Sequence, residues 1–574
     1  MVRTSFATGV IFPALAAVSA CGEDGCPRDF ESCNGLCVRL PSDPFNCGSC
    51  GVSCQANGVC RQGNCEPGCD TGQTACGATC VDVQIDSAHC GGCDAACPNG
   101  APCMSGQCVV PLAVLRTSVD NREIDRDIYV LENVTLDLTK LDQATFATNR
   151  VIDHAILPDG SVVIVAAETT EETFELYRVA AGGGPLTKLN APLPAGANVQ
   201  AGVAVSRDGK SLLYRADQDT AGVIELYLVK LATPGTATKV NGPLVANGNV
   251  SRVFAISADG SRVTYIADQD TDGVDELYTT TLPTPNVKKV NPAAVSSVFD
   301  FQASDDGSVV VYRMGDPSTG SPLLNVASTA TPGVADPILT PDGLNGAVYN
   351  YQVARDGSAV IFSSTQGFLS ESLYRAPLVS PFSPTRFVDG SMGGVRSDFV
   401  VTSNGARVFF RQADAEGIKR LYRVDVANPA SRTQLSPAGN TFDAVVPDFA
   451  LSRDEKTLAF RTGADGPEGG FIRPGTDPPF FFDDKTQTIF AVDLTATTPA
   501  PVLLNPPFMA KNHEGVGAGY VITRDGRVLY RADHDTPGRA EAYLSDKASP
   551  RESRKVSPDL APTDATDVSV LSSF

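Results

Sequence analysis

The fold of this chain can be predicted from the repeated pattern in Val203-Ala204-Val205-Ser206-Arg207-Asp208-Gly209-Lys210-Ser211-Leu212-Leu213-Tyr214-Arg215. An apolar strand runs into Ser-x-Asp-Gly, and a second strand follows that ends in an aromatic residue and an arginine. Asp-Gly between two apolar strands predicts a hairpin turn, because glycine adopts a positive φ at little cost.

This turn recurs at intervals of 47 to 51 residues, with a last interval of 71 residues. Its copies, some of them degenerate, are Asp159-Gly160, Ser206–Gly209, Ser257–Gly260, Ser304–Gly307, Asp356-Gly357, Asn404-Gly405, Ser452–Asp454 and Asp525-Gly526. A second landmark follows many of them: Glu175-Leu176-Tyr177, Glu225-Leu226-Tyr227, Glu276-Leu277-Tyr278, Ser372-Leu373-Tyr374 and Arg420-Leu421-Tyr422. Each repeat therefore predicts four short strands and no helix, which is typical of a β-propeller blade.

The two ends of the repeat array complement each other. Leu112–Arg116 matches the strand that follows an Asp-Gly turn, and Val568–Ser572 matches the strand that precedes one. We expect the C-terminal strand to complete the first repeat, which leaves no open sheet edge to aggregate. Counting this shared blade, residues 112–574 predict a closed propeller of nine blades.

The repeats resemble the propeller of TolB-type periplasmic proteins over about 460 residues. The resemblance implies a TolB-like, WD-type β-propeller and says nothing about function. The predicted fold class is therefore all-β, with this propeller preceded by two small disulfide-rich modules.

Those modules follow from the cysteines, all 17 of which lie between Cys21 and Cys108. Adding 43 to each position of a first set of eight gives a second set, so residues 26–65 and 69–108 are tandem modules. The sets are Cys26, Cys33, Cys37, Cys47, Cys50, Cys54, Cys60 and Cys65, and Cys69, Cys76, Cys80, Cys90, Cys93, Cys97, Cys103 and Cys108.

Modules of this size cannot bury enough apolar surface to fold without cross-links, so we expect four disulfides in each. Zinc is the alternative, because Cys47-x-x-Cys50 and Cys90-x-x-Cys93 have the spacing of zinc ligands. The pairing stays open, since eight cysteines allow 105 arrangements.

The string Asn46-Cys47-Gly48-Ser49-Cys50-Gly51-Val52-Ser53-Cys54 resembles the stigma-specific, or Stig-type, cysteine-rich family. The second module departs from it, with His89 in place of Asn46 and Asp94 in place of Gly51. The resemblance implies an extracellular adhesion or spacer module.

The N-terminus predicts export. Residues 1–20 carry one basic residue, Arg3, before a mostly apolar run, as a signal peptide does. Val18-Ser19-Ala20-Cys21 resembles the lipobox of bacterial lipoproteins, which implies cleavage before Cys21 and its acylation, with residues 21–25 as the anchored N-terminus. Ordinary cleavage after Ala20, which would leave Cys21 as an unpaired thiol, is the alternative.

Composition excludes several classes of function. Lys and Arg total 45 against 66 for Asp and Glu, a net charge of −21, which disfavours nucleic-acid binding because such a surface repels phosphate backbones. The four histidines are scattered and lie in no catalytic motif, and tryptophan, which sialidase-type repeats need, is absent. The repeats also run to the C-terminus, where a prolyl oligopeptidase would need a hydrolase domain. We therefore do not expect an enzyme.

One loop suggests a metal. In residues 268–276, every second position before Gly273 is an aspartate, namely Asp268, Asp270 and Asp272. The Val274 carbonyl and Glu276 can complete an oxygen shell for calcium. The loop resembles the calcium-binding hairpins of integrin-type propellers. Its sister loops are incomplete, because Ala221 and Pro537 replace the third carboxylate, so a solvated polar turn is the alternative. Calcium is the one cofactor predicted.

The 71-residue interval contains an insertion, 463–485, with Phe480, Phe481 and Phe482 side by side. Long loops with exposed aromatic residues often bind partners, so this loop is a candidate docking site. The alternative is that it folds over its own blade.

These features predict a monomeric, lipid-anchored protein of the bacterial cell envelope, in the outer membrane or at the cell surface. Its propeller would bind a protein or a glycan. The alternatives are a periplasmic TolB-like envelope-assembly factor and a propeller hydrolase or lyase with a site in the central channel.

Overall fold

A computed structural model gives the fold of the chain. The structure describes residues 26, 28–54, 58–67, 69, 72–76, 79–97, 103–118, 126–141, 151–167, 173–180, 183–292, 297–315, 322–338, 347–365, 371–390, 395, 398–437, 444–463, 488–506, 516–517, 519–535, 541–557 and 567–573. Two compact units, Met1–Val109 and Val110–Phe574, divide the chain. Within the described part, no helix is long and apolar enough to cross a membrane.

Eight disulfides hold the first unit together, and the second module repeats the pairing of the first. In order along each module, the cysteines pair first with third, second with fifth, fourth with seventh, and sixth with eighth. The bonds are Cys26–Cys37, Cys33–Cys50, Cys47–Cys60 and Cys54–Cys65, then Cys69–Cys80, Cys76–Cys93, Cys90–Cys103 and Cys97–Cys108. The prediction of disulfides is confirmed, and these bonds consume the thiolates that zinc would need.

Within their described residues, the modules contain four two-stranded hairpins. They are Glu31–Cys33 with Leu36–Val38, Gly58–Arg61 with Asn64–Pro67, Thr74–Cys76 with Thr79–Val81, and Cys103–Met104 with Gln107–Cys108. The backbones of Gly48 and Gly63 approach so closely that a Cβ on Gly48 would lie 2.3 Å from the Gly63 carbonyl oxygen. Gly91 and Gly106 repeat this contact at 2.6 Å, so the repeated glycines are required by packing.

The second unit is a β-propeller of nine antiparallel blades, numbered here along the chain. The strands of blades 1 to 3 are Pro111–Ser118, Arg126–Glu132, Leu138–Lys140 and Asp567–Ser573; Val151–Ile156, Val162–Ala167, Phe174–Val179 and Thr187–Lys188; Val199–Val205, Ser211–Ala216, Glu225–Lys230 and Ala237–Lys239. Those of blades 4 to 6 are Val250–Ile256, Arg262–Ala267, Glu276–Thr281 and Lys288–Lys289; Val298–Ala303, Val309–Gly315, Pro322–Ser328 and Ala335–Pro337; Val348–Val353, Ala359–Ser364, Ser372–Pro377 and Thr385–Val388. Those of blades 7 to 9 are Phe399–Val401, Arg407–Ala413, Lys419–Asp425 and Asn428–Gln434; Ala444–Val445, Ala450–Leu451, Thr457–Gly463, Thr488–Asp493 and Pro501–Leu503; Val521–Ile522, Val528–Ala532, Glu541–Asp546 and Ser549–Lys555.

Blade 8 departs from the four-strand pattern, because its innermost strand is split into Ala444–Val445 and Ala450–Leu451. Pro447 lies in the break, and proline cannot donate a ladder hydrogen bond.

The ring closes as the sequence predicts. The C-terminal strand Asp567–Ser573 pairs antiparallel with Pro111–Ser118, with Val570 opposite Leu115, and becomes the innermost strand of blade 1. The nine-bladed closed propeller is thereby confirmed.

Nine hydrophobic clusters form the propeller core, one at each junction between neighbouring blades. At the closing junction, Leu112 and Leu115 of blade 1 pack with Leu529 and Leu544 of blade 9. Each blade therefore depends on both neighbours for the burial of its faces.

The aromatic landmarks of the sequence are cross-strand partners within a blade. Tyr214 lies opposite Tyr227 with ring centroids 5.7 Å apart, and Tyr265 and Tyr278 repeat the stack at 5.6 Å. Offset stacking of this kind stabilises neighbouring strands beyond simple area burial.

Candidate functional site: the central channel and its two mouths

The innermost strands of successive blades form the channel wall, and side-chain amides link them. Gln302 of blade 5 donates to the Tyr351 carbonyl of blade 6 at 2.8 Å and accepts from the Val353 N–H at 2.9 Å. Gln352 repeats both bonds toward blade 7. These glutamines satisfy backbone groups at the inner edge of the neighbouring blade.

Buried and half-buried arginines make a second set of links between blades. Arg411 of blade 7 binds Asp398 at 2.6 Å and donates from Nη1 to the Val445 carbonyl of blade 8 at 2.7 Å. Arg461 binds Asp448 and the Val516 carbonyl in the same way, and Arg313 binds Asp300 and the carbonyl of Tyr349. These three wall aspartates are therefore held by guanidinium groups.

Arg215 makes the corresponding link from blade 3 with two carbonyl acceptors, those of Val250 and Ala201, both at 3.0 Å. No carboxylate within the described residues forms an ion pair with it. Burial, together with the nearby Arg252, lowers the pKa of Arg215 to about 10.

In the acidic loop predicted to bind calcium, the first carboxylate accepts hydrogen bonds from backbone N–H groups. Asp268 accepts from the N–H groups of Asn249 and Gly273, at 2.5 and 3.3 Å. Asp217 makes the matching bonds to Asn198 and Gly222 in blade 3. Asp268 and Asp217 therefore stabilise the conformation of the corresponding loops in blades 4 and 3.

Lys289 lies where a cation would sit among the remaining carboxylates. Its ammonium forms ion pairs with Glu276, which is 2% exposed, and with Asp270 at 3.3 Å. Tyr278 also donates to Glu276, at 2.7 Å. The Glu-Leu-Tyr landmark is thus the start of a Glu–Lys–Tyr cluster.

This cluster recurs in other blades. Lys239 binds Asp219 and Glu225 at 2.7 and 2.9 Å, and Lys188 binds Glu175. In blade 9, Lys555 binds Glu541 at 2.6 Å.

A calcium ion that takes Asp270 and Glu276 as ligands must displace the Lys289 ammonium. Among the residues that the structure describes, sets of three His, Cys, Asp or Glu ligand atoms within 4.8 Å of one another occur only in the disulfide-bonded modules. Calcium binding by Asp268, Asp270, Asp272, the Val274 carbonyl and Glu276 stays a prediction.

The Ser-x-Asp-Gly turns are held by the aspartate itself. Asp259 accepts hydrogen bonds from the Ser257 hydroxyl at 2.6 Å and from the N–H and hydroxyl of Ser261 at 3.0 and 2.8 Å. These bonds, that from Ser257 first, lower the pKa of Asp259 to about 2. The pKa values of Asp208 and Asp306 are lowered by the same pattern of bonds.

One end of the channel, where the innermost strands begin, carries exposed apolar side chains. Ile152, Phe299 and Tyr349 are each the second residue of an innermost strand, and they are 37%, 50% and 46% exposed. Phe299 and Tyr349 belong to the adjacent blades 5 and 6. We call this end the aromatic mouth.

The opposite end carries arginines at the variable position of the turn, and we call it the arginine mouth. They are Arg207, Arg355, Arg453 and Arg524. Sequence reasoning used this turn only as a marker of hairpins, although Arg-Asp at four of the eight turns was a visible signal.

Backbone hydrogen bonds join the turns at the arginine mouth from blade to blade. The Ala258 N–H donates to the Asp305 carbonyl, the Asp305 N–H to the Arg355 carbonyl, and the Arg355 N–H to the Ser403 carbonyl, at 2.7 to 2.8 Å. The Glu455 carboxylate then accepts from the Ser403 N–H at 2.5 Å. Glu455 has a φ of 59° at the position where the other turns have glycine.

Two predicted sites lie outside the described residues. They are Cys21, with the signal peptide 1–20 before it, and the Phe480, Phe481 and Phe482 loop. Lipidation and partner binding at these residues stay predictions.

Comparison with known families finds one match in the cysteine modules. The model of the "Stigma-specific STIG1-like protein family" matches residues 61–111, which include the second module. The Stig-type resemblance of this region is therefore confirmed. No curated protein matched the chain.

The propeller has TolB and prolyl oligopeptidase among its structural neighbours. TolB from Acinetobacter baumannii shares 15% identity over 46% of this chain and 61% of its own length, with a TM-score of 0.28. Prolyl oligopeptidase B from Galerina marginata shares 11% over 63% of this chain and 57% of its own, with a TM-score of 0.37. An oligogalacturonate lyase in complex with manganese shares 15% over 62% and 95%, with a TM-score of 0.36. A propeller fold does not by itself assign an activity.

Proposed function

We propose that this chain is a lipid-anchored bacterial cell-envelope protein whose propeller binds a protein or glycan partner at the aromatic mouth. The acyl chain on Cys21 would hold it to the membrane, and the two disulfide modules would act as a spacer between anchor and propeller.

The cysteine chemistry supports an exported location. Eight disulfides persist only in an oxidising compartment, and they account for all the cysteines except Cys21. That leaves the lipobox cysteine as the single thiol available for acylation.

The single observation that carries the binding role is the pair Phe299 and Tyr349. Half-exposed aromatic side chains at the same strand position in adjacent blades are the type of residue that dominates binding energy in interfaces. The wall aspartates Asp300, Asp398 and Asp448 are tied to arginines, which favours a structural use of these groups over acid–base chemistry.

Crosslinking in living cells tests the binding site. A photo-crosslinking amino acid at Tyr349 should give a discrete adduct, whereas the same group at Val379 should give none. Val379 is a matched control because it is 71% exposed and lies in blade 6 beyond the third strand. Equal labelling at both positions, or no adduct at Tyr349, would contradict binding at the aromatic mouth.

Mass spectrometry of the mature protein tests the anchor. Acylated Cys21 is the expected N-terminal residue, and Cys21→Ser should release the protein from membranes. Protease added to intact cells then separates a cell-surface protein, which is cleaved, from a periplasmic one, which is protected.

A further inference from the structure

We propose that the arginine mouth is a second binding site, for a small anion that bears two or more carboxylate or phosphate groups. The inference deepens the proposed function, on which it rests, by adding a ligand of defined chemistry at the opposite end of the channel from Phe299 and Tyr349.

A cavity of about 300 Å³ opens at this mouth. Its lining comes from turns of three neighbouring blades and from blade 8, and includes Arg207, Arg262, Asp305 and Arg453. Blade 8 is four blades away from blade 4, so the cavity lies across the channel mouth. Its volume is at the lower end of small-molecule sites, which excludes a bulky ligand.

The charged side chains that line the cavity are mostly cationic, whereas the whole protein is acidic. Three guanidinium groups and one carboxylate line the cavity of a chain whose net charge is −21. Cationic groups that line a cavity favour an anionic ligand there. Arginine presents a planar fork of donors that matches a carboxylate or a phosphate, which sets the chemistry of the ligand.

Arg207 and Arg453 differ in whether their guanidinium groups form an ion pair. Arg207 of blade 3 already binds a carboxylate, Asp305 of blade 5, at 2.7 Å. Arg453 forms no ion pair within the described residues, and neither do Arg355 and Arg524 at the same turn position. Asp305 therefore shows that the mouth can bind a carboxylate, and Arg453 has donors free for a second one.

Hydrogen bonds fix the turns that carry the two arginines. The Ser206 hydroxyl donates to Asp208 in the turn of Arg207, and the Ser452 hydroxyl donates to Asp454 in the turn of Arg453, both at 2.7 Å. The backbone of these turns is therefore ordered before a ligand binds, and binding has to order only the arginine side chains.

Calorimetric titration of the mature full-length protein with citrate and with pyrophosphate tests the proposal. At low salt we expect a single saturable site for at least one of them; citrate alone indicates a carboxylate ligand, and pyrophosphate alone a phosphate ligand. Arg453→Gln should weaken binding by about tenfold or more, because a hydrogen-bonded ion pair is lost. Arg554→Gln, which removes an exposed arginine from the outer strand of blade 9, should leave the affinity unchanged.

Asp305→Asn should change the affinity for the anionic probe in the opposite direction to Arg453→Gln. It removes a competing carboxylate and frees Arg207, so the probe should bind more tightly than to the wild type. Absence of binding by both probes, or equal effects of Arg453→Gln and Arg554→Gln, would overturn the site. The crosslink at Tyr349 is unaffected by this result, so failure of the anion site and failure of the proposed function are distinguished.

Discussion

At the scale of single residues, the buried charges of this propeller hold the blades in shape. Glu276 is almost fully buried, and Lys289 and Tyr278 compensate its charge. Its sequence context, a run of alternating aspartates, predicts a calcium loop, but the same row of carboxylates is also compatible with neutralisation by a lysine. Only the fourth strand of the blade, 13 residues later, supplies the lysine, and its approach could not be read from the loop.

Glu276→Gln should therefore lower the free energy of unfolding by about 1–3 kcal/mol, because Lys289 loses its buried counter-charge. Asp270→Asn, at a side chain that is half exposed, should cost less than about 0.5 kcal/mol. Urea denaturation without and with calcium measures both. Equal losses in the two variants that occur only when calcium is present would instead identify the loop as a calcium site.

Asp259 is expected to make the stability of the folded protein depend on pH. Its pKa is lowered to about 2 in the folded protein, so the stability that it contributes is complete above the unfolded value of 3.8 and is lost as pH falls through 2. In the Asp259→Asn variant, the free energy of unfolding should fall less steeply than in the wild type as the pH is lowered from 4 to 2. The turn should survive, because Asn404 already makes the same bonds in blade 7, to Thr402 and Ala406. Identical acid-unfolding curves for the variant and the wild type would contradict this role.

At the scale of strands and blades, the repeats were readable because their signals are local. The Asp-Gly turn, the aromatic pair and the alternating strands all lie within one blade, so a single repeat specifies its own four strands. The disulfide pairing was not readable, since all 105 arrangements of eight cysteines suit the sequence equally well. The hydrogen bonds from arginines to the next blade could not be predicted either, because their acceptors are backbone carbonyls of the next repeat. The spacing of 13 residues from Asp300 to Arg313 and from Asp398 to Arg411 was the one visible trace.

Arg411 tests the links between blades. Arg411→Met leaves Asp398 partly buried without its counter-charge and the Val445 carbonyl without a donor, so we expect a loss of about 3–5 kcal/mol. The double variant Arg411→Met, Asp398→Leu should recover much of this loss, because no unpaired charge remains. A thermodynamic cycle by chemical denaturation measures the coupling. Additive effects of the two substitutions would show that the pair does not act as a unit.

At the scale of the whole molecule, the ring of nine blades produces one channel with two chemically different mouths. The aromatic mouth and the arginine mouth lie at opposite ends of the same innermost strands, so closure of the ring sets the position of both mouths. The residues of each mouth come from different repeats, whereas the acidic loop and the Phe480 insertion are contiguous in the sequence, so motif analysis identifies only the latter two as candidate sites.

Removal of the last eight residues, 567–574, should open blade 1 and leave Leu112 and Leu115 without the strand that completes their blade. We expect a lower melting temperature and concentration-dependent aggregation, since the exposed edge can pair with other chains. Calorimetry and light scattering measure the two effects. Removal of only Phe574, which lies beyond the paired strand, is the control.

An engineered cross-strand disulfide can show whether the C-terminal strand closes the ring. Val570 lies opposite Leu115, so cysteines at these two positions should form an intramolecular disulfide in the exported protein, detected by mass spectrometry of the linked peptides. Cysteines at Val570 and Ala113 are out of register by two residues, roughly 8 Å apart, and should remain unlinked. A link in the first variant and none in the second is the predicted result. Free thiols in both variants, or links only between molecules, would contradict a propeller closed by its own C-terminal strand.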